Sequence, residues 1–206
     1  MTHIAVFTRA PVAGASKTRL MPLLGAQGAA DAQRAMTWRT LQTATAVADA
    51  SVSLWCAGDA GNPFLRLCAD TFGIACLPQP GGGLGARMTG CLHALLAGHQ
   101  RVLLIGTDCP AFAVGDLENA AAALDEARMV FTPAEDGGYV LVGARRGGLA
   151  GACFERIEWG GPLVMAQTRE RLRALGWLPG RDWREMPVLW DVDTPEDYER
   201  ARPLLE

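Results

Sequence analysis

At 206 residues, half of them hydrophobic, the chain is long enough for one well-packed α/β domain over residues 1–206 and too short for two ordinary ones. A formal net charge of −3 excludes a general nucleic-acid surface, which needs many Lys and Arg contacts to phosphate. No apolar stretch approaches the roughly eighteen residues of a membrane span, and the N-terminus enters an apolar run with no signal-peptide pattern, so a cytoplasmic location is expected.

Ile4 to Phe7 is a short apolar run that predicts a strand, followed by a Gly/Pro/Ala loop through Gly14, a basic cluster and Leu20. From Gly28 to Asp49, Ala32, Met36, Arg39/Thr40, Thr43 and Val47 recur at helical spacing and predict a long helix. Val52 to Cys56 alternates as a strand. Asn62 to Phe72 fits a helix with Phe64, Leu65, Leu67 and Cys68 inward, stopped by Gly73. Ile74 to Leu77 predicts a third strand, Pro78 to Gly85 a glycine-rich loop and Ala86 to Gly98 a helix. Arg101 to Ile105, Met129 to Thr132 and Tyr139 to Gly143 predict further strands, with a helix over Val114 to Glu126. Leu163 to Leu175 has helical periodicity, and Trp183 to Leu189 predicts a strand leading into Trp190-Asp191-Val192-Asp193. Thr194-Pro195-Glu196-Asp197 is a strong helix start: hydroxyl cap, proline, then acids. The pattern predicts a mostly parallel sheet with helices on both faces.

The most informative run is Gly106-Thr107-Asp108-Cys109-Pro110, directly after Val102-Leu103-Leu104-Ile105. An acid two residues beyond a buried strand sits in the crevice where open α/β sheets bind ligands. A divalent cation carrying phosphates is a fitting partner for it; capping the next helix is the alternative reading. The loop from Arg9 to Leu20 carries three cations, Arg9, Lys17 and Arg19, suited to a phosphate or diphosphate. It is not a P-loop, because Gly14 stands alone and Lys17-Thr18 lacks a preceding glycine. In the second loop, Gln79 to Met88, the glycines, among them Gly83 and Gly85, let backbone amides approach a ligand, while Gln79 reaches a base or sugar and Arg87 a phosphate.

Asp136, between a strand end and a glycine pair, orients an acceptor hydroxyl or makes an Asx-turn, and Tyr139 packs on a substrate ring. In Asp191-Val192-Asp193, alternation places both carboxylates on one side, where they complete a cation site opposite Asp108 or simply precede a capped helix. Trp38 and Trp55 read as core, Trp159 and Trp190 as pocket lining. Cys56, Cys68, Cys76, Cys91, Cys109 and Cys153 have no CxxC spacing and read as small buried hydrophobes; His3, His93 and His99 do not cluster in the sequence, so no histidine metal site is expected.

Taken in order, these motifs resemble the bacterial DUF2064 proteins of the GT-A, or nucleotide-diphospho-sugar transferase, superfamily. The resemblance rests on Arg9-Ala10-Pro11 with Gly14 and Lys17-Thr18-Arg19-Leu20, on Gln79 with Gly83-Leu84-Gly85-Ala86-Arg87-Met88, on Gly106-Thr107-Asp108-Cys109-Pro110, on Pro133 to Tyr139, and on Asp191-Val192-Asp193-Thr194-Pro195. It implies a three-layer α/β/α sandwich that uses Mg²⁺ or Mn²⁺, with Asp108 and Asp193 as metal ligands and Arg9, Gly14, Lys17, Arg19, Gln79, Gly83, Gly85 and Arg87 around the nucleotide. The implied activity is sugar transfer from a nucleotide-diphospho-sugar to a small-molecule acceptor, with Asp108, Asp136, Asp191 and Lys17 as catalytic groups. The alternative is nucleotidyl transfer from a nucleoside triphosphate with release of pyrophosphate, as in phospholactate guanylyltransferase-like or molybdenum-cofactor-like enzymes, which the Lys17-Thr18-Arg19-Leu20 stretch also resembles. Sugar transferases of this fold usually carry a two-acid DxD, whereas Gly106 stands at its first position here. A nucleotide-binding protein that has lost turnover is the reading from another class.

Overall fold

A computed structural model describes residues 1–205. Seven strands, β1 (Thr2–Arg9), β2 (Ala50–Ala57), β3 (Ala75–Pro78), β4 (Arg101–Gly106), β5 (Met129–Pro133), β6 (Tyr139–Arg145) and β7 (Trp183–Glu185), form one sheet in the order β3-β2-β1-β4-β6-β5-β7. Six helices accompany them: α1 (Met21–Thr45), α2 (Pro63–Phe72), α3 (Leu84–Leu96), α4 (Val114–Ala123), α5 (Val164–Ala174) and α6 (Pro195–Leu205). Pairing is parallel throughout except where β6 runs against β4 and β5.

Two-residue periodicity builds the three layers. Ile4 and Val6 of β1, with Leu103 and Ile105 of β4, join residues of α1, α2 and α4 in one core. Their neighbours Ala5, Phe7, Val102 and Leu104 join residues of α3 and α5 in the other. The runs in β1 and β4 are continuous because these central strands are covered on both faces. A third, smaller cluster joins Ala201 of α6 to Ala29, Ala32 and Met36 of α1, with Leu20 and Val192 beside them.

This topology sets the place of the site. The chain runs outward from β1 to β2 and β3, then returns through α3 on the opposite face to β4. Right-handed crossovers require that change of face when the direction reverses. The reversal lies between β1 and β4, and their carboxyl ends bound a crevice into which the Arg9–Leu20 loop and the Gly106–Asp108 turn emerge.

Helix signals are realised with shifted ends. Asn62 caps α2 by accepting from Phe64 N at 3.0 Å, Pro63 follows, and Gly73 (φ 64°) closes it. Leu67, expected inward, is 54% exposed, and the buried stripe is Leu65 and Cys68. α1 starts at Met21, before the predicted Gly28, across a kink at Gly25 (φ 69°), and ends at Thr45 rather than Asp49. β7 stops at Glu185, short of the predicted Leu189, since Pro187 has no N–H for a ladder. Contact with β5 nevertheless continues through Met186 N to Phe131 O (2.7 Å) and Leu189 N to Pro133 O (3.0 Å).

All six cysteines are free, and five are buried. Contrary to the sequence expectation, His3 and His99 do come together, with ring centroids 4.5 Å apart at the amino-terminal side of the sheet. His3 is satisfied by Ser51 and Ser53, both at 2.7 Å, and burial first, then His99, lowers its pKa to about 4. It is a neutral core histidine. No helix among the described residues is long and apolar enough to cross a membrane.

Candidate active site

The crevice at the ends of β1 and β4 opens into a cavity of about 520 Å³, within the ordinary range for small-molecule sites. Arg9, Lys17, Arg19, Gln79, Arg87, Asp108, Tyr139, Asp191 and Asp193 all line it; Gly14, Gly83, Gly85 and Asp136 do not.

The first loop is shaped from within. Ser16, buried, accepts from Val12 N and donates to Ala10 O, each at 2.9 Å, and Gly14 takes φ 80° in the turn between. Gly14 is therefore accounted for by loop geometry. Lys17 adopts a left-handed conformation (φ 46°, ψ 46°), which costs about 1–2 kcal/mol in a residue with a Cβ. That turn carries its ammonium, on a side chain only 9% exposed, to 2.9 Å from Asp108 Oδ1, 2.6 Å from Val192 O and 3.9 Å from Asp193 Oδ1. Arg19, 69% exposed, pairs with Asp193 Oδ2 at 2.8 Å.

Asp108 does not cap a helix. α4 starts at Val114, and the carboxylate of Asp116 accepts from Ala113 N at 2.8 Å there. The backbone carbonyl of Asp108 instead accepts from Val192 N at 2.8 Å, which stitches the late acidic segment to the end of β4. Fully buried Val192 anchors that segment, so Asp191 and Asp193 on either side of it both reach the cavity. Asp193 is not a cap either. Thr194 and Asp197 satisfy the start of α6 reciprocally, with Thr194 N donating to Asp197 Oδ2 at 2.8 Å and Asp197 N to Thr194 Oγ1 at 3.3 Å.

Asp136 makes the Asx-turn, accepting from Gly138 N at 2.8 Å, and it also approaches the late acids. One carboxylate oxygen from each of Asp136, Asp191 and Asp193 lies within 4.8 Å of the others. Asp108 belongs to the same electrostatic neighbourhood but is held by Lys17. Burial first, then repulsion by Asp136, Asp193 and Asp108, raises the pKa of Asp191 from 3.8 to about 7, against a partial offset from Lys17. Between those two values the folded chain holds a proton that the unfolded chain has released, so this group favours folding less and less as pH rises through the window. The metal-free protein is expected to lose denaturant resistance between pH 5 and pH 8, and Asp191→Asn should flatten that slope; an equal slope in both proteins contradicts the assignment.

The turn that places Asp136 is rigid for a steric reason. Gly137 has φ 91°, and a Cβ there would overlap the backbone carbonyl of Pro162. Gly137→Ala is expected to destabilise the fold by about 2–4 kcal/mol through strain and overpacking. Urea midpoints would measure it, and an unchanged midpoint would show that the turn yields.

The second loop behaves differently from the expectation. Gln79 Nε2 donates to Thr8 O (3.1 Å) and Trp55 O (3.0 Å), so its amide protons tie the ends of β1 and β2 together and are not free for a base. Its Oε1 accepts from Arg87 Nη1 at 2.8 Å. Gly85 is buried, and a Cβ there would meet Phe154 O at 2.7 Å, so this glycine serves the packing of α3 and not a ligand. Gly83 is the residue before α3 and has open space around it. Tyr139 lines the cavity with its ring edge-to-face against Phe131 and Trp159, at 5.3 and 6.2 Å. Trp159 thus supports the wall from behind, and Trp190 lies under the guanidinium of Arg200 at 4.1 Å.

A family model for uncharacterized proteins conserved in bacteria, DUF2064, matches residues 40–161. The chain belongs to the DUF2064 family. No curated protein matches it in sequence. This DUF2064 protein is similar in structure to a proposed nucleotide-diphospho-sugar transferase from Desulfovibrio desulfuricans G20, at 26% identity and TM-score 0.83, covering 99% of this chain and 96% of that one. It shares its fold with 4-diphosphocytidyl-2C-methyl-D-erythritol synthase from Anaerococcus prevotii DSM 20548 (14% identity, TM-score 0.64, 99% and 96% covered). The inositol-1-phosphate CTP transferase from T. maritima is a further fold relative (10% identity, TM-score 0.62, 100% and 95% covered). The chain therefore has the α/β fold of the nucleotide-diphospho-sugar transferase superfamily, as its motifs imply.

Sequence reasoning missed one set of residues beneath the DUF2064 site. Gln33 of α1 lines the cavity and donates to Thr107 Oγ1 at 2.9 Å and Thr37 Oγ1 at 3.2 Å, while Thr8 Oγ1 lies 3.2 Å from Thr37 and 3.4 Å from Thr107. All four are buried, and the network fixes Thr107 beside Asp108. The one signal in the sequence is the i, i+4 spacing of Gln33 and Thr37, which reads equally well as a solvated helix face.

Proposed function

We propose that this DUF2064 protein is a nucleotide-utilising transferase that moves a sugar from a nucleotide-diphospho-sugar to a hydroxyl of a small acceptor, with Mg²⁺ or Mn²⁺ as cofactor. The observation that carries this reading is the convergence of Asp136, Asp191 and Asp193, with Asp108 beside them, on one end of the cleft at the switch point of the sheet. So many carboxylates in a half-buried place repel one another, and an all-oxygen donor set of this kind suits a hard divalent cation. Asp191 and Asp193 would hold the ion, which on binding neutralises the diphosphate of the leaving group. Lys17 and Arg19, already at this end of the cleft, stabilise the same charge as it develops. Asp136, the exposed member, orients the acceptor. The acceptor oxygen then bonds to the anomeric carbon, its proton passes to the Asp136 carboxylate, and the nucleoside diphosphate departs. The sugar reading is supported by the likeness to the Desulfovibrio protein, at 26% identity over nearly both chains.

Nucleotidyl transfer is the second reading, favoured by the single acid after Gly106 and by three cations, Arg9, Lys17 and Arg19, along the cleft. In that case an acceptor oxygen bonds to the α-phosphorus of a nucleoside triphosphate and pyrophosphate leaves. Product analysis separates the two. Nucleoside diphosphate formed from a nucleotide-sugar in the presence of acceptor and metal is the expected result. Pyrophosphate from a triphosphate, with no turnover of any nucleotide-sugar across a broad panel, would transfer the assignment to the second reading.

A further inference from the structure

The cleft carries two kinds of cation. At the acid end, Lys17 and Arg19 are neutralised by Asp108 and Asp193. Arg9 and Arg87 line the same cleft, and among the described residues neither forms an ion pair. Arg87 is nonetheless fixed in place. Its Nη1 donates to Gln79 Oε1, and Gln79 is tied in turn to the carbonyls of Thr8 and Trp55 at the ends of β1 and β2. What remains is the Nε–Nη2 edge, and Nε is buried with no hydrogen-bond partner. A buried N–H on a charged group is unfavourable without an acceptor. The adjacent Nε–H and Nη2–H are the pair with which a guanidinium grips two oxygens of one carboxylate or phosphate.

We propose that Arg87, braced by Gln79, is the receptor for an oxyanion of the substrate, a phosphate or carboxylate, at the β1–β2 side of the cleft and apart from the acid cluster. Arg9 lines the same cleft as a second charge without an ion pair among the described residues. The inference deepens the transfer reading and rests on it for treating the cleft as the substrate site. It implies that a substrate brings two anionic features, one to the cation end and one to Arg87.

Calorimetric titration of the metal-free protein with inorganic phosphate tests this directly, comparing the wild type with Arg87→Ala and Arg87→Lys. Both variants are expected to bind phosphate roughly tenfold more weakly or worse, because lysine keeps the charge but not the fork. Parallel titrations with UDP and GDP in Mg²⁺, against their nucleosides, identify the source. If the oxyanion belongs to the donor, both diphosphates weaken in the variants while the nucleosides do not; if it belongs to the acceptor, diphosphate affinity stays and only phosphate weakens. Phosphate affinity fully retained by Arg87→Lys, or absent from the wild type, overturns the inference. The transfer reading fails separately, on a wild-type protein that binds phosphate through Arg87 but no nucleotide with metal.

Discussion

Asp191→Asn is expected to reduce metal-dependent turnover on the order of 10²–10³-fold while making the metal-free protein more resistant to heat at pH 8. The two effects have one cause. Asp191 is half-buried beside three other carboxylates, and its charged form is held there only against repulsion. Asparagine removes the repelled charge and with it the strongest reason for a cation to bind, which costs the transition state its electrostatic support. At pH 5 the folded group is largely protonated but the unfolded one is ionised, so the stability gain should be smaller than at pH 8 and disappear only below about pH 4. Melting curves at the two pH values, with turnover measured on the same preparations, check both halves. Lost turnover with lowered stability at pH 8 would mean that Asp191 is a structural acid.

Lys17→Met is expected to act in the opposite direction on stability. The substitution removes the donor to Val192 O and the counter-ion of Asp108, both served by a nearly closed side chain. A loss of about 1–3 kcal/mol is expected, the cost of leaving polar partners of a charged group unsatisfied, discounted because Asp108 is itself half exposed. Arg19→Ala serves as the contrast. Its pair with Asp193 lies at the surface and should contribute no more than about 1 kcal/mol. Turnover should fall steeply in Lys17→Met, because the residue that orders the acid end is gone. Equal midpoints for Lys17→Met and the wild type would remove Lys17 from that role.

How far the sequence could be read depended on whether a residue's role is local. The place of Asp108 at the end of β4 was legible because a short branched apolar run suits a covered strand and the acid follows it directly. Asp191 and Asp193 were legible because alternation about an apolar residue fixes their common side, and Val192 is buried as that requires. Roles that depend on contacts distant along the chain were not legible. Nothing local in Lys17 shows that it will turn left-handed and bridge to a carbonyl 175 residues on. Gly85 reads as part of a ligand cradle until the backbone of Phe154 is seen against it, and Gln79 as a base reader until both amide protons are found on strand carbonyls. Asp136 shows the middle case. Its turn is written in the following glycines, whereas its approach to Asp191 and Asp193 comes from the pairing of Pro133 and Glu135 with Leu189, more than fifty residues on.

A divalent cation bound among the late acids is the feature on which the transfer reading most directly depends. Crystals grown with Mn²⁺ and a donor nucleotide, measured for anomalous scattering of manganese, are predicted to show one ion within about 2.0–2.6 Å of carboxylate oxygens of Asp191 and Asp193, the range for hard cations and oxygen ligands. The nucleotide phosphates should complete its coordination. A nucleotide seated in the cleft with no manganese at these acids, or with manganese held elsewhere on the protein, would contradict it.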